Sequence, residues 1–334
     1  MTGLVDLTVA LSSYDHTLDL TKGDVRIAGT RPNFIDLPLS EMFRRFVTYR
    51  DWDVSEISLV KYAMLRAAGD DDVVAIPVFT SRMFRHAAIY VRRERIHEPE
   101  DLRGARVGIP EWANSAGVWA RGLLSDMYGV GPFEIQWVQG GLCSPGRAPV
   151  LSAPRLPDNA ELEQVDDRSL EEMLWDGDLD ALITPAVPPS LLAAAENGAG
   201  IGRLFNDVSA AEREYFKATR CLPVMHTVAI RRDLLERYPW LASNLYRAFE
   251  VAKRRYFVRL TEISASRTAI PWAAAYVARA RELFGDELWP YGVDANQQSL
   301  EVFLRYGTEQ GLFANPLEVD DLFIDVEPFV DGLV

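Results

Sequence analysis

Apolar and polar positions alternate along this chain in two rhythms, and each change of rhythm marks an element. LVDLTVAL (4–11) has the period of a strand, and SSYDHT follows as a polar loop at the strand's carboxyl end. LSEMFRRFVTYRDW (39–52) switches to helical spacing after Pro38, with Ser40 as its N-cap. DVSEISLVKYAMLRAA reads as a short strand running into a second helix, and VVAIPVF (73–79) as a buried strand. AAIYVRR is another strand, EPEDLRG a helical turn closed by Gly104, and ARVGIPEW a strand ending in a loop. The helix SAGVWARGLLSDMYGV then runs to Gly129.

From 140 to 170 the pattern gives way to Gly140, Gly141, Pro145, Gly146, Pro149, Pro154 and Pro157, and reads as loop. RSLEEMLWDGDLDALITP restores helix, turn and strand. MHTVAIRRDLLERYPWLASNLYRAFEVAKRRYF is a strand leading into a long amphipathic helix, and the remainder is mostly helical, NQQSLEVFLRYGTEQG included. No solenoid repeat or low-complexity tract interrupts the chain. Strands alternating with helices predict an α/β fold with a largely parallel sheet. Ligands of such sheets sit beyond the carboxyl ends of the strands, often in a domain crevice. The loops 14–17, 55–58, 80–86 and 110–115 are therefore expected to wall one cleft.

Composition narrows the partners. The 334 residues have room for two domains, and 48% hydrophobic with 25% charged residues is an ordinary globular mix. A formal charge of −14 argues against nucleic acid and anionic membrane as partners, since both demand a basic surface. Cys143 and Cys221 make neither a disulfide framework nor a zinc site, and suit a reducing compartment. The first residues lack a basic stretch before their short apolar run, which Asp6 breaks, so a strand is expected there and not a signal peptide. No run approaches the ~20 apolar residues of a membrane span. A cytoplasmic protein is expected. Glycine patterns for nucleotides and HExxH or CxxC spacings for zinc are missing, so no cofactor and no metal are expected. The aromatic-rich C-terminal helices read as core or as an interface between copies in a homo-oligomer.

Against this acidity PVFTSRMFRH (77–86) gathers Arg82, Arg85 and His86 just after a buried strand, with Arg92, Arg93, Arg95 and His97 beyond. The segment AAIYVRRERIHEPEDLRGARVGIPEWANSAG resembles the entry into the second lobe of type II periplasmic-binding-protein folds. Together with DVSEISLVKY, PVFTSRMFRH, QWVQGGLCSPGR, LPVMHTVAIRR and PYGVDANQQSLEVFLRYGTEQGL, it is similar to the 4,5-dihydroxyphthalate decarboxylase family over nearly the whole chain. The resemblance implies two lobes, each a mixed, mostly parallel sheet flanked by helices, with the ligand cleft between them. Residues 1–87 and 231–334 would form the first lobe and 88–230 the second. It also implies a cytoplasmic, cofactor-independent carboxy-lyase that converts a dihydroxylated aromatic dicarboxylate to 3,4-dihydroxybenzoate and carbon dioxide. Three positions depart from the family pattern: Ser115 replaces a threonine, Cys143 an acid, and His16 an arginine. A solute-binding protein for an aromatic or small carboxylate, serving a transporter, shares the fold; so does a lyase for another cyclic acid.

The residues can carry that chemistry. An aromatic dicarboxylate needs anion clamps, and the guanidinium groups of Arg82 and Arg85 match a carboxylate bidentately. Asn114 and Ser115 can cap a helix whose first-turn N–H groups attract a second carboxylate. A para-hydroxylated benzoate needs no electron sink: a base takes the phenol proton, an acid protonates the ring carbon, and carbon dioxide leaves. Histidine suits both tasks, and His86 and His226, at the ends of elements, are the leading candidates, with either open as the acid. Glu56, between Ser55 and Ser58, can hold a histidine or a catechol hydroxyl. Ser58, Asp15, His16 and Thr184 complete the expected substrate contacts, while Arg92, Arg93 and Arg95 are expected to be solvated or structural and His97 exposed.

Overall fold

The strand-forming segments pair into two separate sheets. The computed structural model describes residues 3–146, 155–157, 160, 162–198, 200–265 and 267–327. Its strands are β1 Val5–Ala10, β2 Thr30–Ile35, β3 Val54–Ser58, β4 Val73–Arg82, β5 Ile89–Arg92, β6 Arg106–Ile109, β7 Gln136–Gly140, β8 Leu162–Val165, β9 Ala181–Ile183, β10 Ile201–Arg203 and β11 Val224–Arg231. The first sheet has the order β2-β1-β3-β11-β4, the second β10-β5-β9-β6-β7-β8. Both are mixed: β1 runs parallel to β2 and β3, and β11 antiparallel to β3 and β4. In the second sheet β6 lies parallel to β7 and β9, whereas β5 is antiparallel to its neighbours.

One strand, β8, lies in the stretch read as loop, and β7 ends where that stretch begins. The expected division at residue 230 also meets two structural facts. Strand β11, all but its last residue on the second-lobe side of that division, is hydrogen-bonded into the first sheet. Helix Gln297–Glu309, expected in the first lobe, packs on helix Ser115–Tyr128: Trp119 meets Tyr306 edge-on at 5.6 Å. Just beyond it, Gln310 accepts from the indole of Trp112 at 3.1 Å and from Arg121 at 2.8 Å, and donates to Val118 at 3.0 Å. The C-terminal segment thus packs on the helix that follows β6, and one apolar core runs from Val54 and Ile57 through Trp119 to Phe303.

Gly122 makes this helix pairing close. A Cβ there would stand 2.2 Å from two ring carbons of Tyr306, whose hydroxyl is anchored on Asp126. Gly122→Ala is expected to cost about 1–3 kcal/mol, the range for overpacking a well-filled core. A urea titration checks it, the midpoint falling with the slope unchanged.

The local irregularity that matters most lies in β4. Its register with β11 shifts on either side of His226, from Val228 opposite Ile76 to His226 opposite Ser81 and Val224 opposite Arg82. Extra residues of β4 bulge around Pro77, which has no N–H to donate. The Thr227 hydroxyl reaches the carbonyls of Ile76 at 3.0 Å and Val78 at 3.1 Å, and Gly292 N–H reaches that of Pro77 at 2.9 Å. The bulge re-aims the backbone beside His226.

Candidate active site

His226 is set by this irregularity and by the strand on its other side. It lies opposite Ser58 of β3, while Val228 lies opposite Glu56. Glu56 and Ser58 are two residues apart, so they share a face of the sheet with His226. His226 Nδ1 stands 2.7 Å from Glu56 Oε1. Glu56 is 1% exposed, a costly place for a carboxylate unless it is fully bonded. It accepts from the Tyr14 hydroxyl at 2.6 Å, the Thr80 hydroxyl at 2.9 Å and the Ser12 N–H at 3.1 Å. Burial acts to raise its pKa. His226, Tyr14 and the Ser12 N–H outweigh burial and hold the carboxyl below its ordinary value. Tyr14 is pushed strongly upward by burial and by the charge of Glu56, so it stays a neutral donor. With Nδ1 committed to Glu56, Nε2 is the nitrogen left for the cleft.

That cleft has a volume of about 790 Å³. Phe43 and Val47, on the apolar face of helix Leu39–Tyr49, form one wall, and Phe43 meets the His226 ring edge-on at 4.9 Å. Pro38, not Ser40, caps that helix, and Ser40 lies in the cleft wall. Opposite stands the N-terminus of helix Ser115–Tyr128. Asn114 caps it, accepting from Gly117 N–H at 2.7 Å, and Gly129 ends it in the left-handed region at φ 65°. The N–H groups of Ser115 and Ala116 remain for a ligand, with the helix dipole behind them. Ser115 Oγ lies 3.0 Å from Ser58 Oγ and accepts from Val60 N–H at 3.3 Å, joining the two walls.

Arg85 supplies positive charge. It lines the cleft at 8% exposure, and its guanidinium donates to sulfur atoms, Met225 Sδ at 3.1 Å and Met83 Sδ at 3.5 Å. Thioether sulfur is a weak acceptor, and no carboxylate pairs with this guanidinium among the described residues. Burial lowers its pKa to about 10, which leaves it charged at neutral pH.

Several expected site residues are placed elsewhere. Strand β4 does not end at Phe79 but continues through Arg82, which therefore belongs to the sheet and not to a cleft loop. Arg82 donates to Leu222 O at 3.3 Å, to Pro290 O at 2.6 Å and to Asn296, outside the cleft wall. His86 is fully buried between Phe205 and Tyr215, at 5.0 and 5.6 Å between ring centres, and burial lowers its pKa to about 4. His16 sits behind Tyr14, between that ring and Trp289, and is likewise depressed to about 4 by burial. Asp15 is exposed on the turn beside it. Thr184 is buried and donates to Ala186 O at 2.7 Å, so it shapes the loop whose Pro185 and Ala186 line the cleft. Cys143 is exposed and outside the wall. Arg92 and Arg95, expected to be solvated or structural, pair at the surface with Glu94 and with Asp180.

The sequence reading missed Tyr14 as the support of Glu56, and it missed Lys61 and Glu111 in the cleft wall. Tyr14 had a signal in YDHT, at a strand's carboxyl end. Lys61 follows β3 of the first sheet and Glu111 follows β6 of the second, and neither has a local pattern.

No protein-family model matches the chain. A 4,5-dihydroxyphthalate decarboxylase of Comamonas testosteroni is 36% identical over 321 residues, covering 96% of this chain and 96% of that protein. A 4,5-dihydroxyphthalate decarboxylase of Pseudomonas putida is 33% identical over 216 residues, 64% of this chain and 82% of that protein. Among solved structures, the periplasmic aliphatic sulphonate binding protein SsuA of Escherichia coli superposes with a TM-score of 0.54 at 14% identity, covering 96% of this chain and 97% of that one. The two-lobed fold is that of periplasmic binding proteins. Among the described residues no helix is long and apolar enough to cross a membrane.

Proposed function

The chain belongs to the 4,5-dihydroxyphthalate decarboxylase family, and we propose that it converts 4,5-dihydroxyphthalate to 3,4-dihydroxybenzoate and carbon dioxide in the cleft beside His226. The observation that carries the reading is His226 in the cleft wall, held 2.7 Å from the buried Glu56 behind it, with the Arg85 guanidinium in the same wall and no carboxylate pairing with it among the described residues. His226 Nε2 takes the proton of the hydroxyl para to the departing carboxylate. The Glu56 carboxylate fixes the tautomer through Nδ1 and stabilises the imidazolium that forms. Arg85 holds one carboxylate, and Asn114, Ser115 and the helix N-terminus behind them receive the other. Ser58 is a hydroxyl contact between these two ends.

The lobes follow from the same proposal. The chain leaves the first lobe through residues 83–88 and returns before β11, so that His226 faces the second lobe from the first. Closure around the substrate would exclude water and strengthen the contacts to its charges.

The test is turnover by the purified protein. Incubated with 4,5-dihydroxyphthalate, it is expected to release one carbon dioxide per substrate as the ultraviolet spectrum changes to that of 3,4-dihydroxybenzoate, with and without a chelator. Saturable binding of the dianion without product would favour the solute-binding reading and overturn this one.

A further inference from the structure

The cleft wall holds a second titratable pair to which the mechanism above gives no task. Lys61, on helix Leu59–Ala67 of the first lobe, and Glu111, in the loop after β6 in the second, stand 3.0 Å apart with 15% of each side chain exposed. The contact is ionic and poorly directed, and Glu111 Oε1 has no aligned hydrogen-bond donor. A carboxylate inside a pocket for a dianion works against binding unless it is neutralised or protonated. The other acid of the wall, Glu41, belongs to the rim and faces Arg45 at 3.4 Å. Glu111 sits beside Asn114, Ser115 and Ala116, the part of the cleft suited to the substrate's carboxylates.

Decarboxylation needs a proton acceptor for the phenol and a proton donor for the ring carbon. His226 serves the hydroxyl. His86 and His16 are outside the wall, so no second histidine is there to serve the carbon. We propose that Glu111 is the proton donor to the ring carbon that loses its carboxylate, with Lys61 as the residue that positions it. The assignment rests on the decarboxylase reading. Burial raises the Glu111 pKa more than Lys61 lowers it, and the charge of an entering dianion acts in the same upward direction.

The step balances. His226 takes the phenol proton, and the para carbon takes the proton of the Glu111 carboxyl, giving a ring dienone that still carries its carboxylate. The carbon–carboxylate bond breaks, its electron pair returns to the ring, and carbon dioxide leaves. The restored phenolate recovers its proton from His226, and Glu111 is reprotonated by solvent.

The test compares Glu111→Gln with the wild type on 4,5-dihydroxyphthalate, using phthalate as an unreactive probe of binding. Turnover is expected to fall by about 10²–10⁴-fold, the contribution of one positioned acid, while the phthalate Kd stays within a factor of about 3. A readout that a structural role would not move is solvent exchange into 3,4-dihydroxybenzoate at the carbon para to its 3-hydroxyl. In D2O the wild type should exchange this hydrogen and E111Q should not. Lys61→Met should slow turnover and exchange together; exchange at the wild-type rate would remove Lys61 from the assignment. If E111Q does not fold, Glu111→Asp, which withdraws the acid by one methylene, should also lose turnover with binding kept. Wild-type turnover with unimpaired turnover in either Glu111 variant overturns the assignment alone. An inert wild type overturns it together with the decarboxylase reading.

Discussion

His226→Asn should lower kcat by about 10²–10⁴-fold, the usual worth of one proton-transfer group, and leave the fold and the affinity for phthalate nearly unchanged. Asparagine separates chemistry from structure at this position. Its amide can donate to Glu56 from the place of Nδ1, so the carboxylate, 1% exposed, keeps a partner. What it lacks is any group at the position of Nε2 that can take and return a proton. His226→Ala would confuse the two effects, because a buried carboxylate left without its strongest partner takes up a proton or destabilises the sheet. Glu56→Gln probes the same pair from the other side. It keeps the volume and the contacts to Tyr14 and Thr80 while removing the charge that stabilises the imidazolium, and kcat should fall by about 10²-fold. Steady-state kinetics with thermal melts of each variant check both statements. A His226→Asn enzyme with wild-type kcat would remove His226 from the mechanism.

How much of this site could be read in the sequence depended on where each residue sits relative to a strand end. Glu56, Ser58 and His226 follow or end clear strand patterns, and Asn114 and Ser115 precede a clear helix. The cleft wall includes Ser58, His226, Asn114 and Ser115, whereas Glu56 stands buried behind His226. Arg82 and His86 were misplaced for a physical reason. VVAIPVFTSR is buried almost throughout, so it shows no alternation from which the end of the strand can be told. The strand runs on through Arg82, and the bulge at Pro77 breaks any extrapolated facing. The carbonyls that claim the Arg82 guanidinium come from residues 222 and 290, remote in sequence. The Lys61–Glu111 pair was illegible for the same reason, since it joins segments that follow strands of two different sheets. The fold was more accessible because most of its elements are local: a capped helix, a strand between turns, an amphipathic stripe.

Arg85→Met should raise KM by about 10²–10³-fold, corresponding to roughly 3–4 kcal/mol of lost charge-assisted hydrogen bonding, and should lower kcat much less. It should also leave the protein as stable as before, or more so. That combination follows from how Arg85 is held. The residue is 8% exposed, its guanidinium contacts two thioether sulfurs, and no acid among the described residues balances it. Without ligand the cation is desolvated and poorly paired, and an apolar side chain of similar reach at such a site is often neutral or stabilising by about 1–4 kcal/mol. The energy that the empty site forgoes is recovered when a substrate carboxylate arrives. Arg82→Met is the internal control and should behave oppositely. Arg82 satisfies the carbonyls of Leu222 and Pro290 and the Asn296 side chain. Its loss leaves buried acceptors unpaired, at about 1–3 kcal/mol each, with KM close to that of the wild type. Melting temperature should therefore fall only in Arg82→Met and KM rise only in Arg85→Met: one arginine is required by the substrate, the other by the sheet. If Arg85→Met instead melts early and binds phthalate normally, Arg85 is a structural cation and the carboxylates are held by the helix N-terminus without it.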